Sequence, residues 1–144
     1  MRGVYRWLTA ILFALVVVQV GLAGYGAFDT IHKAEKAAIS KKTAEDAFGV
    51  HAILGSLIIL LMIVLLIVAA AGRLGAAKVR WSGAIVALGI LQFILGVASP
   101  SVPALGFLHG LGALAIFVAT AMAAHRAWAA ERALTEREAS YSPA

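Results

Sequence analysis

Four runs of this chain are nearly free of charge, and each is long enough to cross a membrane: residues 7–28, 48–71, 81–99 and 104–127. About 20 apolar residues in a helix span the hydrocarbon core. Inside lipid the backbone must satisfy its own hydrogen bonds, so the runs are expected to be helices. A soluble fold is excluded by composition. The 144 residues are 62% hydrophobic and only 13% charged, with a mean hydropathy of +0.96. A domain this small leaves too much of its surface wet to hide that apolar content. The expected fold is all-α: an integral membrane antiparallel four-helix bundle, one domain over residues 1–144. The first run follows Arg2 and Arg6 as a signal peptide would. Its apolar length exceeds a usual signal core, and it reads as a retained span.

Four spans put both termini on one side. That side carries Arg2, Arg6, Arg73, Lys78, Arg80, Arg126, Arg132 and Arg137, and the other only Lys33, Lys36, Lys41 and Lys42. The excess places the termini in the cytoplasm of a bacterial-type inner membrane. Trp7, Trp81 and Trp128 fall at the same ends, where indoles favour the headgroup level. The long loop, residues 29–47, is expected to hold a short helix over 31–38. Thr43-Ala44-Glu45-Asp46 reads as a capping box for the second span. The last helix is expected to run on in water over residues 128–139, helped by Arg132 and Glu136 at i,i+4, with residues 140–144 disordered.

The two hairpins repeat. Gln19 precedes Val20-Gly21, and Gln92 precedes Phe93-Ile94-Leu95-Gly96. His51 opens the second span and His109 the fourth. Parallel repeats of this kind are related by an axis along the membrane normal. The repeat predicts that Gln19 meets Gln92, and His51 meets His109, across that axis.

An ionisable residue inside a span is expensive and by default functional. His51 and His109 lie at similar depth near the outer face, and a bundle can aim both rings inward. Two neutral imidazoles can supply both axial ligands of a haem iron. Gly55, four residues after His51, and Gly112, three after His109, leave room on the histidine faces for a flat macrocycle; Gly21, Gly24, Gly89 and Gly96 do the same on the other spans. Ordinary helix packing also uses such glycines. Gln19 and Gln92 read first as interhelical hydrogen-bond partners, then as groups that bond a cofactor edge or a histidine's free nitrogen. Lys41 or Lys42 is placed to pair with propionates. His32 reads as solvated. His125 lies about 24 Å along the helix from His109, and the inner half of span two offers it no histidine partner. A second haem is therefore not expected.

Other chemistry is missing. With no cysteine there are no disulfides, thiolate metal sites, iron–sulfur clusters or covalent c-type haem. No carboxylate lies inside a span for acid–base work. No His-Glu-x-x-His or phosphate loop occurs. No basic face interleaved with aromatics suggests nucleic acid.

Leu91-Gln92-Phe93-Ile94-Leu95-Gly96, followed by Leu105-Gly106-Phe107-Leu108-His109, resembles the third and fourth helices of one half of haem A synthase. That family has two four-helix halves, each with a histidine near the outer end of its second and fourth helices; His51 and His109 match them. The resemblance is best over residues 86–117 and also fits a small four-helix membrane b-type cytochrome. It implies a haem-b-binding fold. It does not imply haem A synthesis: the catalytic half has a glutamate ahead of its first histidine and an arginine after it, where this chain has Phe48 and Ala52. The second half and the synthase cysteine pair are also lacking.

The expected function is one-electron transfer by a membrane b-type cytochrome, with the lipid bilayer, a redox protein or quinone, or an oligomeric partner around it. The alternatives are a cofactor-free accessory or assembly subunit of a larger membrane complex, and a haem carrier or sensor.

Overall fold

The computed structural model describes residues 1–141, with the side chains of 138 and 141 left aside. The described residues form five helices: α1 (Arg2–Ala34), α2 (Lys41–Ala47), α3 (Gly49–Ala71), α4 (Ala76–Ala98) and α5 (Pro103–Tyr141). The four long ones, α1, α3, α4 and α5, are long and apolar enough to cross a membrane. This is a multi-pass, all-α membrane protein.

The four long helices alternate in direction and pack as a ring. α1 touches α3 and α5, and α4 touches α3 and α5. The diagonal pairs are therefore α1 with α4 and α3 with α5. The axis expected between the two hairpins runs up the middle.

Packing is uneven along that axis. Buried positions recur at three- and four-residue steps: Tyr5, Thr9, Leu12 and Val16 on α1, and Ile58, Met62, Leu65 and Ala69 on α3. Ser82, Ile85 and Gly89 on α4 and Ile116, Ala119, Thr120, Ala123 and Ala127 on α5 complete the set. Such spacing keeps one stripe of each helix on the core. Most of these residues lie in the half nearer the termini, with Ile58 and Gly89 close to the midpoints of their helices. Gly89 lets the helices close there, since a Cβ at that position would meet Met62 Sδ at 2.6 Å. Tyr5 bonds Ser82 across helices (3.2 Å), and Trp81 Nε1 donates to the Ala119 carbonyl (3.2 Å). Beyond that middle level, toward the 35–48 connection, Gly26 is the one buried residue among those described; Phe48 and the Ala47 carbonyl cover it.

The ends differ in part from the sequence expectations. α1 runs unbroken to Ala34, so the short helix expected over 31–38 is the tail of α1 followed by a turn. A separate helix, α2, forms instead over Lys41–Ala47. Its N-cap is Ser40, whose Oγ accepts from the Thr43 amide at 3.1 Å. Thr43 therefore does not cap the second span. α3 begins after Phe48 with no side-chain cap.

The α3–α4 turn closes with two backbone bonds, Arg73 N–H to the Ala70 carbonyl and Leu74 N–H to the Ala69 carbonyl. This is the Schellman arrangement. The left-handed residue it requires is Arg73 (φ 49°), and Gly72 stays right-handed one position early.

α5 extends through Ser140 and Tyr141, further than expected; residues 142–144 of the predicted disordered tail lie outside the described residues. Its charged end is braced by Glu131, paired with Arg6 at 3.2 Å, rather than by the expected Arg132–Glu136 pair.

Candidate functional site

Each hairpin ties its glutamine to its histidine by two reciprocal bonds. In the first, Gln19 Nε2 donates to the His51 carbonyl (2.8 Å) and His51 Nδ1 bonds the Gln19 carbonyl (3.1 Å). In the second, Gln92 Nε2 donates to the His109 carbonyl (2.6 Å) and His109 Nδ1 bonds the Gln92 carbonyl (3.0 Å). The repeat read from sequence is thus a repeat of geometry. Gln19 and Gln92 do not bond one another as the axis suggested; each bonds within its own hairpin.

These bonds fix protonation. A carbonyl only accepts, so each Nδ1 must carry the proton. In the neutral tautomer this leaves the lone pair on Nε2. A metal-binding histidine is oriented in this way, by donating its other N–H to a carbonyl.

The two rings meet across the axis. Their centroids are 6.2 Å apart with planes at 63°, although α3 and α5 are diagonal and their backbones do not touch. Both rings are partly buried. They lie in the loosely packed half of the bundle.

The glycines divide the work differently from the sequence reading. A Cβ on Gly112 would collide with Gln92 Oε1, and one on Gly55 would come within 2.9 Å of Gln19 Nε2. Both glycines receive the glutamine of their own hairpin. Gly96 receives the histidine itself: a Cβ there would be 3.0 Å from His109 Cε1. Gly89 packs against Met62 near the middle of the bundle, and Gly21 and Gly24 have open space over them.

The two amide oxygens, Gln19 Oε1 and Gln92 Oε1, are buried without a hydrogen-bond partner. Flipping the amides would not help, because each Nε2 is needed as a donor to a carbonyl. The layer therefore combines two spare imidazole lone pairs with two unpartnered acceptors. Each amide also keeps a second N–H that neither bond uses.

Phe48 was not singled out from sequence as a site residue. Its ring stands edge-on to His51, with centroids 6.3 Å apart and planes at 88°. The i,i+3 spacing carries that signal. At the matching place before His109 stands Gly106, so the two imidazoles differ in surroundings. His32 is exposed, with Nδ1 4.0 Å from Glu35, and His125 is exposed at the far end. Lys41 and Lys42 are turned to Glu45 (3.5 Å) and Asp46 (3.6 Å) on their own helix. Among the described residues no cluster of three or more His, Asp or Glu side chains is placed to hold a bare metal ion.

A model of a family described as a family of unknown function, DUF6220, matches residues 19–99. The match opens on Gln19, takes in His51, Gly55 and Gln92, and ends ten residues before His109. No curated protein and no solved structure matches the chain. The likeness of residues 91–109 to a haem A synthase half rests on those residues alone.

Proposed function

We propose that this chain, which belongs to the DUF6220 family of unknown function, is a membrane b-type cytochrome holding one haem b between His51 and His109. The observation that carries the reading is that the two imidazoles, from diagonal helices, meet across the bundle axis with centroids 6.2 Å apart. His51 and His109 would be the residues that hold the iron of such a group.

Three further features support it. Both Nδ1 atoms are held by carbonyls, which leaves Nε2 as the ligand atom on each ring. The rings lie where the bundle has almost no fully buried side chains, so a flat group displaces little packed core. The likeness to half of a haem A synthase points the same way. Bound there, a haem with two histidine ligands supplies one-electron chemistry at its iron. The chain's own part is to hold the rings, through Gln19 and Gln92, and to present apolar helix faces that exclude water. Lys41 and Lys42 are already paired within α2, so they are weak candidates for propionate partners. In this reading the termini are cytoplasmic, the membrane is a bacterial-type inner membrane, and the electron partner is a redox protein or quinone at the opposite face.

The test is a visible spectrum of the protein purified from cells supplied with ample haem. Sharp reduced alpha and beta bands are expected, and they should be lost in both His51→Ala and His109→Ala. A colourless protein, or unchanged bands in both variants, overturns the reading.

A second reading has its own observation. The reciprocal bonds satisfy each Nδ1 and one N–H of each amide with no ligand at all, as braces in a cofactor-free accessory subunit would. The same spectrum separates the two.

A further inference from the structure

The charge of this protein sits at one end. At the end carrying α2, four lysines face four carboxylates. Three of those lysines are paired along their own helices: Lys33 with Asp29 (2.7 Å), Lys41 with Glu45 and Lys42 with Asp46. That end is neutral by composition and closed by contact. At the end carrying the termini, eight cations face three glutamates of α5, so the whole formal charge of +5 lies there. Among the described residues the one ion pair at that end joins Arg6 to Glu131.

Two of those cations lie on interfacial indoles. The Arg6 guanidinium is 4.5 Å from the Trp128 ring centroid, and the Arg126 guanidinium is 4.8 Å from that of Trp81. Arg6 has Glu131 to neutralise it; exposed Arg126 has no carboxylate within 4 Å among the described residues. Trp81 directly follows Arg80 and lies one turn after Lys78, and Arg73 stands exposed in the preceding turn. The result is a cationic rim in which Arg73, Lys78, Arg80 and Arg126 make no ion pair among the described residues, held at the depth where an indole prefers the headgroup region.

We propose that this rim binds the anionic phospholipid headgroups of the surrounding bilayer, with Arg73, Lys78, Arg80 and Arg126 contacting phosphate. Charge complementarity selects the occupant. A cation near an anionic leaflet gains attraction that a zwitterionic leaflet does not supply. A guanidinium placed over an indole still presents N–H donors to a phosphate. The inference does not depend on haem.

The test uses the full chain in nanodiscs of equal phosphatidylcholine and phosphatidylglycerol, with the retained lipid identified by native mass spectrometry. Wild type retains phosphatidylglycerol preferentially, and the preference weakens at 0.5 M salt. In R73Q/K78Q/R80Q it falls by roughly fivefold per charge removed. K36Q/K41Q/K42Q, at the neutral end, keeps the wild-type preference, and a circular dichroism spectrum shows that both variants stay helical. Equal retention of the two lipids by wild type overturns the proposal. So does a preference that salt leaves intact, or one equally lost in the α2-end variant. Binding of a soluble polyanion such as heparin, without lipid preference, also overturns it.

Discussion

His109 and Gln92 hold each other by their backbones: the ring donates to the glutamine's carbonyl at 3.0 Å, and the amide donates to the histidine's carbonyl at 2.6 Å. Each side chain bonds main chain on the facing helix, so the imidazole keeps its bond whatever side chain stands at position 92. His51 and Gln19 share the relationship.

Gln92→Leu therefore removes one interhelical bond and, with it, a buried oxygen that has no partner. Interhelical bonds in membranes average about 0.6 kcal/mol, and loss of the stranded acceptor offsets part of that. The expected loss is below about 1 kcal/mol. Thermal unfolding in detergent measures it; a loss of several kcal/mol would show that Gln92 does more than brace the hairpin.

Gly112→Ala behaves differently. Its new methyl meets Gln92 Oε1, while a methyl on Gly110 meets nothing within 4 Å. Overpacking costs about 1–3 kcal/mol. Gly112→Ala should thus lower the unfolding midpoint while Gly110→Ala leaves it level or raises it slightly, alanine being the better helix former. Equal midpoints for the two variants would contradict the close approach of Gln92 to α5.

Arg73→Gly should stabilise the protein in neutral detergent. Arg73 holds the left-handed position of the turn, which costs an L-residue about 1–2 kcal/mol. Glycine returns about 0.5–1 kcal/mol of that to unfolded-chain entropy. A gain of up to about 1 kcal/mol remains. In anionic lipid the gain should shrink, because the variant also removes a rim charge. A lower midpoint in neutral detergent would be the contrary result.

The chain has no cysteine, so a single introduced one reports its own location. In intact cells a membrane-impermeant maleimide should label Ala38→Cys, in the connection before α2, and should spare Ala139→Cys, near the end of α5, until the cells are opened. The reverse pattern would invert the orientation drawn from the lysine and arginine count.

What could be read from the sequence follows from what leaves a linear trace. A helix that must sit in lipid cannot carry charge along its length, so α3, α4 and the membrane part of α5 lie within a few residues of the uncharged runs. α1 overshoots its run at both ends, because Arg2, Arg6 and Lys33 are as helical as the apolar residues between them. The matched Gln and His positions also leave a trace, since the repeat sets both histidines at one depth. Which helices are diagonal leaves none. Nor does the role of Gly55: a glycine looks the same whether it clears space for a cofactor or for Gln19. Ser40 and Thr43 are both good caps, and only the turn at Ser40 decides between them. Glu131 and Glu136 are equally placed on α5 by sequence; Arg6, on another helix, selects Glu131.

The uneven packing along the axis makes the molecule a pair of tweezers. The interlocked half around Leu12, Met62, Leu65 and Ile85 is the pivot, and the α2-end halves of the two hairpins are the tips. Each tip carries one imidazole. Few buried contacts tie the two tips to each other, so a group held between the imidazoles would draw its grip equally from both hairpins.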